Sequence, residues 1–255
     1  MALGDFMTIG EIKKIFDGTE MAELPGVLMQ FGSDSRAGVK KLVEAYKKRY
    51  EKAHEEAGRL EAMLCFERRY RHFGFVCGVD EAGAGPFAGP VSAAAVILPE
   101  NCIIEGLDDS KKLSEKRREE LYAVITERAV AYGVAFVENG EIDEINILQA
   151  RHKAMMMAVE MLDPRPDFIL FDGNNVPATD IPNLGLIEGE SKSASIAAAS
   201  ILAKVERDRL MMEYHRTYPQ YGFDRNKGYG TAEHIGAINK YGLTPIHRRS
   251  FVKGW

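Results

Sequence analysis

The chain has 255 residues, is 45% hydrophobic and carries a net charge of −5, so it can bury the core of one large domain or of a domain with an appendage. No apolar run approaches the roughly 20 residues that a membrane span requires, and the N-terminus lacks the apolar segment of a signal peptide. We therefore expect a cytoplasmic protein with no membrane contact. Three irregularly spaced cysteines, Cys65, Cys77 and Cys102, argue against a disulfide framework or a zinc site.

The first 64 residues predict a small helical appendage. Helix-like patterns run over 8–16 and 38–59, and the stretch 24–37 between them contains glycine, proline and serine. The run 36–59 holds eight Lys/Arg against four acidic residues, which direct DNA contact and a solvated helix face explain equally well. We predict a division of the chain into residues 1–64 and 65–255.

The later chain alternates strands and helices, which is typical of an α/β fold. Apolar patterns predict strands over 75–79, 91–98, 132–138, 168–171 and 185–187, and helices over 114–131, 147–162 and 195–217. The last segment, 225–255, holds six Lys/Arg and one acidic residue. This excess predicts a local positive surface for phosphate groups within an acidic protein.

Carboxylates follow the predicted strands. Asp80 and Glu81 end one apolar run, Asp172 ends a second, and Glu190 precedes an alanine-rich helix. Considered alone, Asp80 and Glu81 are explained by a strand that has already ended and left them in solvent. Strand ends in α/β sheets converge on one edge, however, and clustered anions near a core cost several kcal/mol unless a cation balances them. Oxygen ligands select magnesium, manganese or calcium, so the sequence predicts a divalent metal site.

Several strings, in the same order, resemble bacterial type 2 ribonuclease H (ribonuclease HII). They are GVDEAG at 78–83 with GP at 85–86 and AGPV at 88–91, DSKKLS at 109–114, IDEINI at 142–147, FDG at 171–173, SIAAASILAKV at 195–205 with RD at 207–208, NKGYGT at 226–231, and HRRSF at 247–251. Together they cover roughly residues 75–251. Many independent strings in order are far more specific than any lone glycine motif.

The resemblance implies a ribonuclease H-like mixed sheet flanked by helices, with a small helical N-terminal region. It implies a monomeric, metal-dependent endonuclease of DNA replication and repair. The expected substrates are RNA/DNA hybrids and DNA duplexes that contain ribonucleotides, and the products carry 3′-hydroxyl and 5′-phosphate ends. The expected cofactors are two divalent ions, Mg²⁺ or Mn²⁺.

The same resemblance implies site residues. The catalytic metal ligands are Asp80, Glu81, Asp172 and Glu190, with Asp80 bridging; relatives usually have aspartate where Glu190 stands. The substrate-binding residues are Gly83, Ala84, Gly85, Ser110, Lys111, Lys112, Asn146 and Tyr229. In the family the turn at 83–85 reads Gly-Arg-Gly or Gly-Lys-Gly and recognises an RNA-to-DNA junction together with the tyrosine. Ala84 lacks that cation, so we expect weakened junction recognition.

Three other functions remain open at this stage. A type 3 ribonuclease H shares the fold, although a strand-bearing N-terminal domain is usual there. A noncatalytic hybrid-binding protein would fit the loss of a cation at Ala84. A metal-dependent small-molecule phosphatase leaves the basic C-terminal segment unexplained. We expect His234 and His247 to be structural hydrogen-bonding residues and not general bases.

Overall fold

The computed structural model describes residues 7–254, and the chain divides into two compact units, Met1–Arg59 and Leu60–Trp255. The first unit holds helices α1 (Ile9–Gly18) and α2 (Leu24–Phe31) and most of α3 (Ala37–Met63). Its core is formed by buried side chains of all three helices, Ile12, Phe16, Leu24, Phe31 and Val39. The stretch 24–37, which separates the two predicted helices, itself contains α2; Pro25 lies in the first turn of this helix, where its missing N–H breaks no helical hydrogen bond.

The second unit is built on a five-stranded sheet. Its strands are β1 (Val76–Ala82), β2 (Val91–Ile97), β3 (Ala131–Val137), β4 (Phe168–Asp172) and β5 (Asn183–Leu186). They lie in the order β3-β2-β1-β4-β5. The pairs β1–β2 and β2–β3 are antiparallel, whereas β1–β4 and β4–β5 are parallel. The sheet is therefore mixed.

Six helices belong to this unit in full: α4 (Cys65–Tyr70), α5 (Glu115–Arg128), α6 (Asn139–Glu160), α7 (Ala194–Thr217), α8 (Phe223–Asn226) and α9 (Ala232–Tyr241). The predicted fold class, a mixed sheet flanked by helices after a small helical region, is confirmed. Between residues 7 and 254 we find no helix with the length and apolarity needed to cross a membrane.

Helix α6 differs from its prediction in where it begins. It starts at Asn139, eight residues before the predicted position, and Asn146 interrupts it with a φ of 67°. The Asn146 side chain accepts hydrogen bonds from the amides of Leu148 and Gln149 at 3.0 and 3.2 Å, as an N-cap does. The prediction found only the second of the two helical segments.

The two faces of the sheet carry different helices. Cys77 and Val79 of β1 pack in the same apolar cluster as α6, whereas Ala94 and Val96 of β2 pack with α7 on the other face. Side chains alternate along a strand, so Gly78 and Asp80 of β1 face α7. Strand β1 also continues through Asp80 and Glu81 to Ala82, which pair with Ala94, Ala93 and Ser92 of β2. The interpretation that the strand ends before these carboxylates is wrong.

Helix α7 packs directly against the backbone of β1 at Gly78. A Cβ atom at this position would lie 2.2 Å from both the Ile196 amide nitrogen and the Ser195 carbonyl carbon. These are backbone atoms and cannot rotate out of the way. The start of α7 is therefore held against β1 two residues before Asp80.

Gly78→Ala is expected to destabilise the fold by about 1–3 kcal/mol, because the added methyl group forces α7 off the sheet. Urea unfolding measures this change. The control is Gly236→Ala on α9, where a Cβ meets nothing within 4 Å and alanine raises helix propensity by up to about 1 kcal/mol. Equal stability of Gly78→Ala and wild type would contradict the close approach.

His234 and His247 form a buried pair in the C-terminal core, with their Nε2 atoms 3.0 Å apart. His247 Nδ1 accepts from the Thr244 amide at 2.9 Å, so its proton is on Nε2 and is donated to His234. His234 Nδ1 in turn donates to the Tyr229 carbonyl at 3.0 Å. Both rings are thus neutral, and burial lowers the pKa of His247 to about 4. The two histidines are structural, as expected, and they hold the Tyr229 loop.

This pair predicts a loss of stability in acid. Between an unfolded pKa near 6.5 and the folded value near 4, the unfolded chain binds a proton that the folded chain rejects, so stability falls as the pH falls. We expect His247 alone to account for about 2 kcal/mol between pH 7.5 and 5.0. Urea unfolding at both pH values should show a smaller decrease for His247→Gln than for wild type. Identical decreases would refute the neutral pair.

Candidate active site

Three carboxylates meet at the α7 side of the sheet. Asp80 lies on β1, Asp172 ends the neighbouring parallel strand β4, and Glu190 lies in a short 3-10 turn before α7. One oxygen from each residue lies within 4.8 Å of the others. The sequence-predicted strand ends do converge, and the structure brings Asp80, Asp172 and Glu190 into one cluster.

Burial and mutual repulsion make the charged form of this cluster unfavourable in the folded chain. Asp80 is only 3% exposed, and burial, followed by the charges of Glu81, Asp172 and Glu190, raises its pKa well above the ordinary value. Burial also raises the pKa of Glu190, and hydrogen bonding to Asp109 adds to the effect. Oxygen donors that repel one another at this distance are the donor set that a hard divalent cation stabilises. The residues present therefore fit a divalent metal ion.

Glu81 lies next to Asp80 but projects to the opposite face, as strand alternation requires. There its Oε1 forms a salt bridge of 2.5 Å with Arg151 of α6. Its Oε2 is buried without a hydrogen-bond partner among the described residues. Burial raises the pKa of Glu81, and the charge of Asp172 contributes in the same direction. Glu81 is thus close to the cluster but separately paired, and its role as a ligand stays a prediction.

A lysine and a serine contact Glu190, and a second serine is hydrogen-bonded to the first. Lys111 Nζ lies 3.1 Å from Glu190 Oε1, and the lysine side chain is 75% exposed. Ser200 of α7 donates to Glu190 Oε2 at 3.2 Å and lies 2.8 Å from Ser110 Oγ. Lys111 partly balances the negative charge, while Ser200 connects Glu190 to the buried Ser110.

Arg248 holds the glycine turn that follows β1, residues 83–85. This arginine is fully buried and donates to the carbonyls of Gly83, Ala84 and Gly89 at 2.6, 2.9 and 2.9 Å. In a trans peptide the carbonyl and the next amide point in opposite directions. The amides of Ala84 and Gly85 therefore point away from the buried guanidinium.

The glycine turn, Tyr229 and two carboxylates of the cluster, Asp80 and Asp172, line one cleft of about 220 Å³. A Cβ at Gly85 would lie 3.7 Å from the Tyr229 ring, whose residue is 46% exposed. Nine of the sequence-predicted site residues line this cleft: Asp80, Glu81, Gly83, Ala84, Gly85, Ser110, Lys111, Asp172 and Tyr229. Three others do not. Glu190 contacts the cleft residues Lys111 and Ser200, Lys112 pairs with Asp108 at 3.2 Å, and Asn146 caps the second segment of α6.

Sequence reasoning missed three cleft residues on α7, which are Ser200, Lys204 and Arg207. Their spacing of four and three residues places them on one helix face, and this was the available signal. Because alanines lie between them, the sequence was interpreted only as a helix that packs against the sheet. Arg207 is buried and donates to the carbonyls of Ala88, Pro90 and Lys227 at 2.9–3.1 Å.

The predicted positive surface at 225–255 is reduced in the structure. Arg248 is buried under the turn, and Arg225 forms salt bridges with Asp224 and Glu233. Lys227 is also buried and donates to the Asp224 carbonyl at 2.7 Å. Three of the six cationic side chains therefore bond to groups of the same chain. A count of charges along the sequence does not detect such contacts.

Comparison with known proteins agrees with this site. The family model described as Ribonuclease HII matches residues 77–254, and the one described as Ribonuclease HII N-terminal domain matches residues 8–71. A ribonuclease HII from Lachnoclostridium phytofermentans is 48% identical over 245 residues, which is 96% of each chain. Another from Ruminiclostridium cellulolyticum is 52% identical over 219 residues, covering 85% of this chain and 86% of that protein.

A solved structure supports the same assignment. The crystal structure of the ribonuclease H2 from Pyrococcus horikoshii OT3 is 27% identical and matches with a TM-score of 0.59, covering 69% of this chain and 92% of that chain. Matches over nearly the full chain favour the type 2 family over type 3, and an enzyme over a noncatalytic binding protein. The chain therefore belongs to the ribonuclease HII family and is an endoribonuclease H that acts on RNA paired with DNA.

Proposed function

We propose that this enzyme uses two divalent ions, Mg²⁺ or Mn²⁺, to cleave the RNA strand of hybrids and to cut at single ribonucleotides embedded in duplex DNA. The products carry 3′-hydroxyl and 5′-phosphate ends. The observation that carries the proposal is the cluster of Asp80, Asp172 and Glu190, whose oxygens lie within 4.8 Å of one another beside the glycine turn.

Asp80, Asp172 and Glu190 would hold the ions, and Glu81, whose Oε2 has no hydrogen-bond partner among the described residues, is the fourth proposed ligand. When bound, divalent ions supply charge neutralisation at the scissile phosphate and lower the pKa of an attacking water. The chain itself orients the ligands: the Gly189 amide donates to Asp172 Oδ1 at 2.7 Å, and Ser200 donates to Glu190. Exposed Lys111 is placed to contact a phosphate that enters the cluster.

The glycine turn and Tyr229 supply the recognition of the ribonucleotide. RNA differs from DNA in its 2′-hydroxyl group, which both donates and accepts hydrogen bonds. The outward amides of Ala84 and Gly85 are suited to a ribose or phosphate oxygen, and the Tyr229 ring next to Gly85 is suited to pack against the same sugar. Ala84 provides no charged group, so the grip on the phosphate is weaker than with arginine or lysine.

Asp80→Asn tests the metal-dependent chemistry. The change removes one negative charge from a buried cluster, so we expect the free energy of unfolding in EDTA to equal or exceed that of wild type. Cleavage of a duplex with one ribonucleotide should become undetectable in both Mg²⁺ and Mn²⁺, while binding of the duplex persists. A folded Asp80→Asn protein with wild-type cleavage would refute the assignment.

Ala84→Arg tests the recognition turn. A charge-assisted hydrogen bond to phosphate is worth about 1.5–3 kcal/mol, which corresponds to a gain of roughly 10- to 100-fold in kcat/KM if the bond forms in the transition state. We expect this gain on a duplex with a single ribonucleotide and a smaller one on continuous hybrid, where other ribonucleotides offer alternative registers.

The matched control for this prediction is Ala84→Gln, which adds a long polar side chain without charge. It should leave kcat/KM near the wild-type value on both substrates. Tyr229→Ala combined with Ala84→Arg should reduce the gain, because the two side chains hold the same nucleotide. Equal kcat/KM for wild type and Ala84→Arg on the single-ribonucleotide duplex would show that this turn does not read the junction.

A further inference from the structure

Glu67 links two regions that the family models treat as separate. It lies on α4, within the match to the N-terminal domain model at residues 8–71. Its Oε1 accepts three hydrogen bonds from the start of α7, which belongs to the other match. The donors are Ser193 Oγ at 2.6 Å, the Ser195 amide at 2.9 Å and Ser195 Oγ at 2.5 Å.

The contact is well buried and leaves one polar atom unsatisfied. Ser193 and Ser195 are fully buried, and Glu67 Oε2 is buried without a hydrogen-bond partner among residues 7–254. An unpaired buried acceptor destabilises the folded chain. A carboxylate at the N-terminus of a helix recovers part of this cost from the helix dipole. Helix capping alone does not require a glutamate here, because Ser193 already caps α7 by accepting from the Ile196 amide.

The anchored segment carries Glu190. Before Glu190, the Gly189 amide is bonded to Asp172 Oδ1, and after it the Ser193 amide donates to the Gly189 carbonyl at 2.8 Å. Glu188 enters the segment with a φ of 55°, a left-handed conformation that is strained for a non-glycine residue. The segment is thus strained where it begins and is held by Glu67 where it ends.

We propose that Glu67 is a positioning residue for Glu190. By fixing Ser193 and Ser195, it sets how far the Glu190 carboxylate reaches into the cluster with Asp80 and Asp172. The side chain of Glu190 is one methylene longer than that of aspartate. The position of its carboxylate relative to Asp80 and Asp172 therefore depends on where Ser193 and Ser195 hold the backbone. This inference rests on the proposed metal-dependent function, and it assigns the α4 segment a role in the metal site.

The test is a double-mutant cycle read by Mn²⁺ binding in isothermal titration calorimetry. Loss of a group that orients a metal ligand typically weakens metal affinity by about 10- to 100-fold, and we expect Glu67→Ala to do so. In a Glu190→Ala background, Glu67→Ala should have no further effect, because its influence passes through Glu190. Kinetics should show a lower kcat with little change in KM.

The matched control is Glu61→Ala, which removes a carboxylate on α3 that is half exposed and pairs with Arg68 at 2.7 Å. It should leave Mn²⁺ affinity unchanged. If Glu67→Ala does not fold, as judged by circular dichroism, Glu67→Gln goes through the same cycle. Equal losses of affinity in both backgrounds, or no loss at all, would overturn the inference. Failure of the wild type itself to bind Mn²⁺ would instead contradict the proposed function.

Discussion

The close packing of α7 on β1 at Gly78 is the constraint on which the site depends. No side chain separates the strand from the start of the helix, and Ser200, about one turn along α7 from Ile196, donates to Glu190. Gly189, in the turn that carries Glu190, is also closely packed: a Cβ there would lie 2.8 Å from Ile196 Cδ1 and 3.0 Å from Asp172 Oδ1. The positions of the carboxylates thus depend on the close packing around Gly78 and Gly189.

Arg207, Arg248 and Glu81 have polar partners within the fold, whereas the carboxylate cluster keeps an excess of negative charge. Arg248 and Arg207 are buried beneath the turn, where they bond to carbonyls and fix its shape. Glu81 is paired with Arg151 on the opposite face. Among the described contacts, the cluster itself has only exposed Lys111 as a cationic partner, which leaves repulsion that a divalent ion relieves. The proposed metal site is therefore the place where the folded chain keeps unfavourable electrostatic energy.

The sequence predicted the strands and a cluster of four carboxylates because an apolar run followed by an acidic residue is a local pattern, and the structure brings three of the four together. It could not separate Glu81 from Asp80, since their partners depend on which helix covers each face. Ser200 and Lys204 were not predicted as cleft residues. The alanines around them were interpreted as small residues that let the helix pack on the sheet. The contact from Glu67 to Ser195 spans 128 residues, and no periodicity reveals such a pair. Arg248 was counted in the predicted positive surface, because the composition of a segment does not show which of its side chains are buried.

The most direct test of the central claim is anomalous diffraction at the manganese absorption edge from crystals of the full chain grown with Mn²⁺. The account predicts at least one anomalous peak within bonding distance of oxygens from Asp80, Asp172 and Glu190, since oxygen ligands bind such an ion directly. A strong peak elsewhere and none at this cluster, under conditions in which the enzyme cleaves its substrate, would contradict it.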